Sequence, residues 1–425
     1  MKPVTRVLFL FVLISLPGGV SVDAETLTVD ADTAARMAIE ASALTLSAAD
    51  RVVASQSTVK AADASRLPIL SLNASVAHQS AVPEFAAPID GPGQPPTVIF
   101  PNIQNTYGAD LMVSQPIYTG GAISANRKAA QLDESAMTWS QKLTAVELSH
   151  RARLLYWSAV AAAAGVDVAE AQIMRTQRLL DDARALREAG MAVNADVFAA
   201  EARFSAAEVD LIRTRNEEEQ SLTRLRSLLG IDPGIELNLE DRRTEEIPSS
   251  PPSLADLERT ALENRPELRI TDARIEGLGT QARAVNANRR PTVAATGQWL
   301  IARPNQRYLP LEDVVNDSWR VGIGASWRFF DGSRTKEQVA TVHAEQRALQ
   351  HDRGELERQI LLEVATARLE LGSALEAVVA ADTSANAASA WEEASSERYA
   401  AGLAMLSELL DAQADLAVAE VAQVK

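Results

Sequence analysis

A chain of 425 residues with a formal net charge of −16 and no cysteine excludes several classes at once. The acidity argues against a nucleic-acid partner. Without cysteine there are no disulfides and no acylated N-terminal cysteine, so the chain is not expected to be a lipoprotein.

In chain order, Lys2 and Arg6 precede an apolar stretch from Val7 to Leu16, followed by Pro17-Gly-Gly and Val22-Asp-Ala24. Residues 1–24 therefore read as a secretory signal, and the mature protein as exported. A first structural repeat is expected over 25–247. It holds strands at about 68–80 and 106–116, with Leu70, Leu72, Ala74 and Val76 pairing with Tyr107, Ala109, Leu111 and Val113, opposite Gly108, Asp110 and Ser114. Between them Val82 to Asn105 carries Pro83, Pro88, Gly91, Pro92, Gly93, Pro95, Pro96 and Pro101, which favours irregular loop. Gln115-Pro-Ile-Tyr118-Thr-Gly120-Gly then opens a long helix over about 120–189, ending at Arg187-Glu-Ala-Gly190-Met, and a second helix follows over 194–229. Alanines from Ala159 to Ala164 suit close helix packing. Beyond the signal no run of eighteen apolar residues occurs, so no transmembrane helix is expected.

A Pro/Ser linker at 248–252 leads to a second repeat over 253–425, with strands at about 291–301 and 317–330 and helices at about 332–401 and 406–425. Its long helix runs from Trp327-Arg-Phe-Phe330-Asp-Gly332 to Tyr399-Ala-Ala-Gly402-Leu. Since 332 − 120 and 402 − 190 both equal 212, the two arms have the same length. Neither contains proline, and at about 1.5 Å per residue each helix reaches on the order of 100 Å. Upstream, Ala38-Ile-Glu40 and Arg66-Leu-Pro68 recur as Ala261-Leu-Glu263 and Arg290-Pro291 at an offset of 223. The first copy thus carries 223 − 212 = 11 extra residues, which the loop from Val82 to Asn105 accommodates.

From Ser318 to Phe329 the residues alternate, with Trp319, Val321, Ile323, Ala325, Trp327 and Phe329 on one face and Arg320, Gly322, Gly324 and Arg328 among those on the other. This is the period of a strand. Eight residues from Trp319 to Trp327 span roughly 26 Å, close to the height of an outer-membrane apolar band with aromatic girdles. Trp299 lies on the partner strand. The expected fold is mainly α with a transmembrane β-barrel contribution, built from a duplicated unit of β-hairpin and long helical hairpin. Four strands cannot close a barrel in lipid, so subunits must combine, and three copies give twelve strands whose inward polar residues, such as Arg320, Arg328 and Asp110, face a water-filled lumen.

Gly190 and Gly402 interrupt helices that resume immediately, which makes them hairpin tips, with Asn194 or Ser407 available to cap the following helix. Met191 and Leu403 are apolar knobs beside them that a partner can bury. Glu408 and Asp411 share one helix face, and Asp196 occupies the position in the first copy equivalent to Glu408. On residues alone, this acidic set is either solvated surface or, in a trimer, a ring of carboxylates. No catalytic chemistry is legible: Ser57-Thr-Val-Lys60 lacks the companion motifs of acyl-transfer enzymes, and His78, His150, His343 and His351 lack metal-ligand spacing. No enzyme activity, cofactor or metal is expected.

The run Ala261-Leu-Glu-Asn264-Arg-Pro266-Glu-Leu268, the exits Gln115-Pro-Ile-Tyr118 and Trp327-Arg-Phe-Phe330-Asp-Gly332, and the two glycine turns together resemble the TolC-like outer-membrane efflux protein family over nearly the whole mature chain. The resemblance implies a homotrimer in the bacterial outer membrane, with a twelve-strand barrel continuous with a twelve-helix tunnel across the periplasm. It also implies a periplasmic adaptor protein and an inner-membrane pump as partners, in an efflux or type I secretion system. By the same resemblance, Glu408 and Asp411 line the constricted entrance, Tyr399 and Asp196 join the closed-state network, and Gly190, Met191, Gly402 and Leu403 meet the adaptor. The sequence departs from the family at Ala404, where an arginine is expected, so Arg398 or Arg187 is left to replace it. It departs again at Ala41-Ser-Ala43-Leu, which stands where the second copy has Asn264-Arg-Pro266-Glu. Counting from Gly230, 230 + 212 = 442 exceeds 425, so the last helix is expected to be shorter than its counterpart. The leading reading is a passive export duct, and the alternative is a soluble periplasmic coiled-coil adaptor or scaffold. Pump and adaptor would choose the cargo, so its identity is not legible.

Overall fold

The computed structural model describes residues 26–89, 91, 93–240 and 250–425. The expected signal and the first two positions of the expected linker lie outside these residues. In chain order the elements are β1 (Thr26–Val29), α1 (Ala31–Ala41), α2 (Ala43–Ala64), β2 (Ile69–His78), β3 (Phe85–Ala87), β4 (Thr97–Phe100), β5 (Asn105–Tyr118), α3 (Ala122–Glu188), α4 (Asn194–Leu229) and β6 (Glu236–Leu239). They continue with α5 (Leu254–Asn264), α6 (Pro266–Asn286), β7 (Thr292–Arg303), β8 (Asn316–Ser326), α7 (Arg334–Ala400) and α8 (Leu406–Val424). The duplication is visible in the boundaries. Helices α5 and α6 begin 223 residues after α1 and α2 (254 − 31 and 266 − 43), while α7 and α8 begin 212 after α3 and α4 (334 − 122 and 406 − 194).

The departure at Ala41-Ser-Ala43 affects only how a helix restarts. In the first copy the Ser42 hydroxyl accepts the Leu44 N–H at 3.2 Å and caps α2. In the second copy extended Arg265 and Pro266, the first residue of α6, make the same break by fixing the backbone.

Compactness cuts across the repeats, dividing the chain into two units. The first unit draws on residues 26–41, 149–240 and 384–425. There Thr26–Val29 pairs in parallel with Glu236–Leu239, and Val29, Ala34, Ala38, Tyr156, Leu225 and Leu237 bury one core. The second unit holds α2, α5, α6 and the strands β2 to β5, β7 and β8. Strands β2, β5, β7 and β8 form one antiparallel sheet in that order, leaving β2 and β8 at its edges. Helix α6 buries Leu268, Ile270, Ala282 and Ala284, and its Asp272 pairs with Arg353 of α7 at 2.5 Å.

Two expectations need correction. The segment from Val82 to Asn105 is not all loop, because Phe85–Ala87 and Thr97–Phe100 form a short hairpin with the Phe85 and Phe100 rings 6.2 Å apart. Its β-favouring residues pair because Pro83, Pro88, Pro95, Pro96 and Pro101 all fall outside the two strands. The last strand stops at Ser326, so Trp327 and Phe329 lie beyond it. There the Trp327 indole donates to the Arg289 carbonyl at 3.0 Å and its ring meets Phe329 edge-on. Among the described residues one helix, α3, passes by length and average composition alone as long and apolar enough to cross a membrane. Interspersed alanines raise its average without any unbroken apolar run, and its Ala152, Tyr156, Ala159 and Val160 are buried in the first core.

Candidate functional site

The sequence-predicted residues fall in two regions, the hairpin tips of the first unit and the sheet of the second. At the tips the two copies share one hydrogen-bond pattern. The Gly190 N–H donates to Arg187 O at 3.0 Å and Met191 N–H to Leu186 O at 2.8 Å; Gly402 donates to Tyr399 O at 2.9 Å and Leu403 to Arg398 O at 2.8 Å. Each is a helix terminus closed by a left-handed residue, with φ of +74° at Gly190 and +70° at Gly402. Side chains larger than hydrogen are disfavoured there by the backbone rather than by crowding. A Cβ at Gly190 would meet nothing within 4 Å, and one at Gly402 only the Met191 methyl at 3.5 Å.

The following helices are not capped by Asn194 or Ser407 as expected. Their N-caps are the apolar Val193 and Met405. In the first copy Asp196 replaces the missing cap by reaching back, its carboxylate accepting the Val193 N–H at 3.2 Å. In the second copy the equivalent Glu408 turns instead to Arg398, at 2.5 Å. Arg398 is therefore the arginine that engages the acidic set, whereas Arg187 lies 3.9 Å from its own neighbour Glu188. Asp411 is exposed on α8 and has no ion pair among the described residues.

Met191 and Leu403 are 66 % and 74 % exposed, and sequence reasoning missed that Val193, Phe198 and Met405 extend the same apolar surface at 62 %, 68 % and 76 %. For Val193 and Met405, an apolar residue standing where a polar cap is normal was the available signal. Between the two hairpins lies a cleft of about 620 Å³ lined by Met191, Asp196, Ala199, Tyr399, Met405 and Leu410 among others. Tyr399 is buried, and its hydroxyl has no hydrogen-bond partner, so the hydrogen bond to Asp196 is not formed within this chain. Burial, and then the charges of Asp196 and Asp182, push the Tyr399 phenol above its ordinary value.

In the sheet the register aligns one apolar face across all four strands. Leu72 stands opposite Leu111, Leu111 opposite Trp299 and Trp299 opposite Trp319. One row down, Leu70, Val113, Gly297 and Val321 align in the same way. The intervening rows are more polar, with Asn73 donating to Asp110 at 3.2 Å and Gln298 opposite Arg320. The apolar face is left uncovered: Leu72, Val76, Trp319, Val321 and Ile323 are all at least 70 % exposed. Trp299 and Trp319 are direct cross-strand partners at one end of the strands, and the Trp299 indole donates to Asp317 at 3.1 Å. Trp327 follows the other end of β8, outside the sheet. Of the residues weighed for chemistry, Ser57 donates its hydroxyl to Val53 O at 3.0 Å within its own helix.

The sequence matches the model of a family described as outer membrane efflux protein over residues 35–231 and 257–425. Its fold is similar to that of the outer-membrane channel OprN, with a TM-score of 0.73 at 19 % identity over 93 % of this chain and 85 % of that one. It is also similar to the outer membrane protein VceC of Vibrio cholerae, with a TM-score of 0.73 at 17 % identity over 93 % and 91 % of the two chains. CusC, solved in studies of folding and transmembrane channel formation, gives 0.76 at 16 % identity over 93 % and 87 %. No match was found among curated proteins.

Proposed function

We propose, from the premise that this chain belongs to the outer membrane efflux protein family, a mechanism by which it forms the exit duct of a tripartite efflux system. It is an outer-membrane channel subunit that spans the membrane with strands and extends into the periplasm with helices. Three copies each supply four strands to a twelve-strand barrel, because a four-strand sheet with two free edges cannot stand in lipid and three such sheets close with a lumen. The observation that carries this reading is the uncovered apolar face running in register from Leu72 through Leu111 and Trp299 to Trp319, backed by a face bearing Asp110 and Arg320. A soluble scaffold would leave that face in water, at a cost of roughly 25 cal/mol for each Å² of apolar surface.

The duct catalyses no bond change, and a periplasmic adaptor and an inner-membrane pump supply direction and energy. The adaptor seats on the apolar tips around Met191 and Leu403. Glu408, Asp411, Asp196 and Tyr399 line the periplasmic gate, where Arg398 holds Glu408. Trp299, Trp319 and Trp327 anchor the barrel at the membrane surfaces. Extraction and mass measurement test the assembly: the protein should require detergent and run as three chains. Release by osmotic shock as a monodisperse monomer with intact strands would support the periplasmic scaffold instead.

A further inference from the structure

The first part of the unpaired β8 edge is engaged by side chains of this chain's own loop. A cleft of about 580 Å³ is lined by Asp317, Ser318, Trp319, Arg320 and Val321 together with Arg307 and Tyr308, with no residue of β7. Successive strand residues point to opposite faces. A cleft that reaches five in a row therefore runs along an edge, and since β7 holds one edge of β8, it is the other. Along it the Arg307 guanidinium donates to the Trp319 carbonyl and the Tyr308 hydroxyl donates to the Asp317 carbonyl at 3.0 Å. Carbonyls two residues apart on a strand face the same edge. A guanidinium N–H and a phenol O–H thus stand where backbone N–H groups of a next strand would stand.

The loop over 304–315 is well anchored for this task. The Asn305 amide donates to Asn316 O at 3.0 Å and to Ser318 Oγ at 3.1 Å, and Arg303 pairs with Asp313 at 2.9 Å. At the opposite edge of the sheet, β2 is exposed at all ten residues. Three antiparallel pairings separate β2 from β8, so the two run in opposite senses and an approaching β2 meets β8 antiparallel.

We infer that Arg307 and Tyr308 form a displaceable guard on the β8 edge, and that its occupant in the assembled channel is strand β2 of a second copy. Docking exchanges two side-chain hydrogen bonds for backbone hydrogen bonds, and until then the guard discourages mispairing of exposed edges between lone chains. This rests on the barrel reading above and adds a step that must precede closure.

Trimer formation by the full chain, refolded into lipid vesicles, tests it. Replacing Arg307→Ala with Tyr308→Phe should speed trimer formation on the order of tenfold, as expected for removing two hydrogen bonds that must break. Because the chain has no cysteine, Tyr308→Cys with Ser318→Cys can be bridged by a short bismaleimide. The bridged chain should stay monomeric while the same unbridged pair trimerises. If the first variant fails to fold, the bridge alone decides. A bridged chain that trimerises at the unbridged rate, or a folded Arg307→Ala, Tyr308→Phe chain no faster than the parent, overturns the inference. A parent chain that never trimerises overturns the channel reading and this inference with it.

Discussion

The two hairpin tips share their backbone hydrogen bonds to within 0.1 Å at equivalent positions, yet their equivalent carboxylates do different work. Asp196 caps its own helix, whereas Glu408 binds Arg398. The cause lies ten residues earlier in each copy. Where the second copy has Arg398 the first has Leu186 (398 − 212 = 186), so Asp196 finds no cation and returns to the backbone. A duplicated backbone fixes where a side chain starts, and its neighbours fix what it does. The shoulders, the residues immediately before the long helices α3 and α7, teach the converse. Gly121 and Ser333, again 212 apart, hold the same left-handed conformation at φ of +94° and +70°, although only one of them is glycine.

The largest expected effect comes from removing what the tips share. Gly190→Val with Gly402→Val forces two β-branched residues into the left-handed region, a penalty of about 1–2 kcal/mol each. The double variant should reach the membrane but lose adaptor cross-linking and export, and normal export would count against the tips as the docking site.

Next are the charges that the tips do not share. Neutralising Asp411→Asn should weaken cation selectivity in planar-bilayer recordings more than Glu408→Gln does, because Arg398 already offsets Glu408. Making the second tip like the first with Arg398→Leu should unmask Glu408 and strengthen that selectivity. Stability should fall by less than about 1 kcal/mol, since the pair is partly exposed. Equal reversal potentials in all three variants would place these carboxylates away from the conduction path.

A smaller, purely conformational effect is expected at the shoulder. Ser333→Gly should stabilise the chain by about 0.5–1 kcal/mol in denaturant unfolding, and Gly121→Ser should destabilise it by a similar amount. A destabilising Ser333→Gly or a stabilising Gly121→Ser would mean that side-chain contacts, not backbone conformation, decide there.

Tyr399 offers the least change at neutral pH and a clear one in alkali. Its phenol is held above the ordinary tyrosine value by burial and by Asp196 and Asp182. A group whose folded value is raised contributes stability that is present below its unfolded value and lost as pH rises through the folded one. The tip should therefore loosen in the alkaline range. Tyr399→Phe should abolish that dependence with little cost at neutral pH, because the hydroxyl it removes has no partner. Unfolding curves of both proteins against pH would show whether the alkaline limb survives the substitution.

Much of this was legible in the residues themselves because it depends on local periodicity and on glycine. The proline-free arms end at Gly190 and Gly402, and alternation from Ser318 onward marks a strand, since each pattern is fixed by neighbours within a few residues. Trp327 shows the limit of that logic. The alternation continues through it, but pairing with β7 stops at Ser326, and pairing belongs to the partner strand rather than to the pattern. The parallel contact of Thr26–Val29 with Glu236–Leu239 joins residues more than 200 positions apart through two short segments with little signal of their own. The order of the sheet, the choice of Arg398 over Arg187, the turn of Asp196 onto Val193 and the seating of Arg307 and Tyr308 on the β8 edge were likewise decided only by the tertiary structure. Each depends on which distant groups the chain brings within hydrogen-bonding distance, and sequence spacing does not encode that distance.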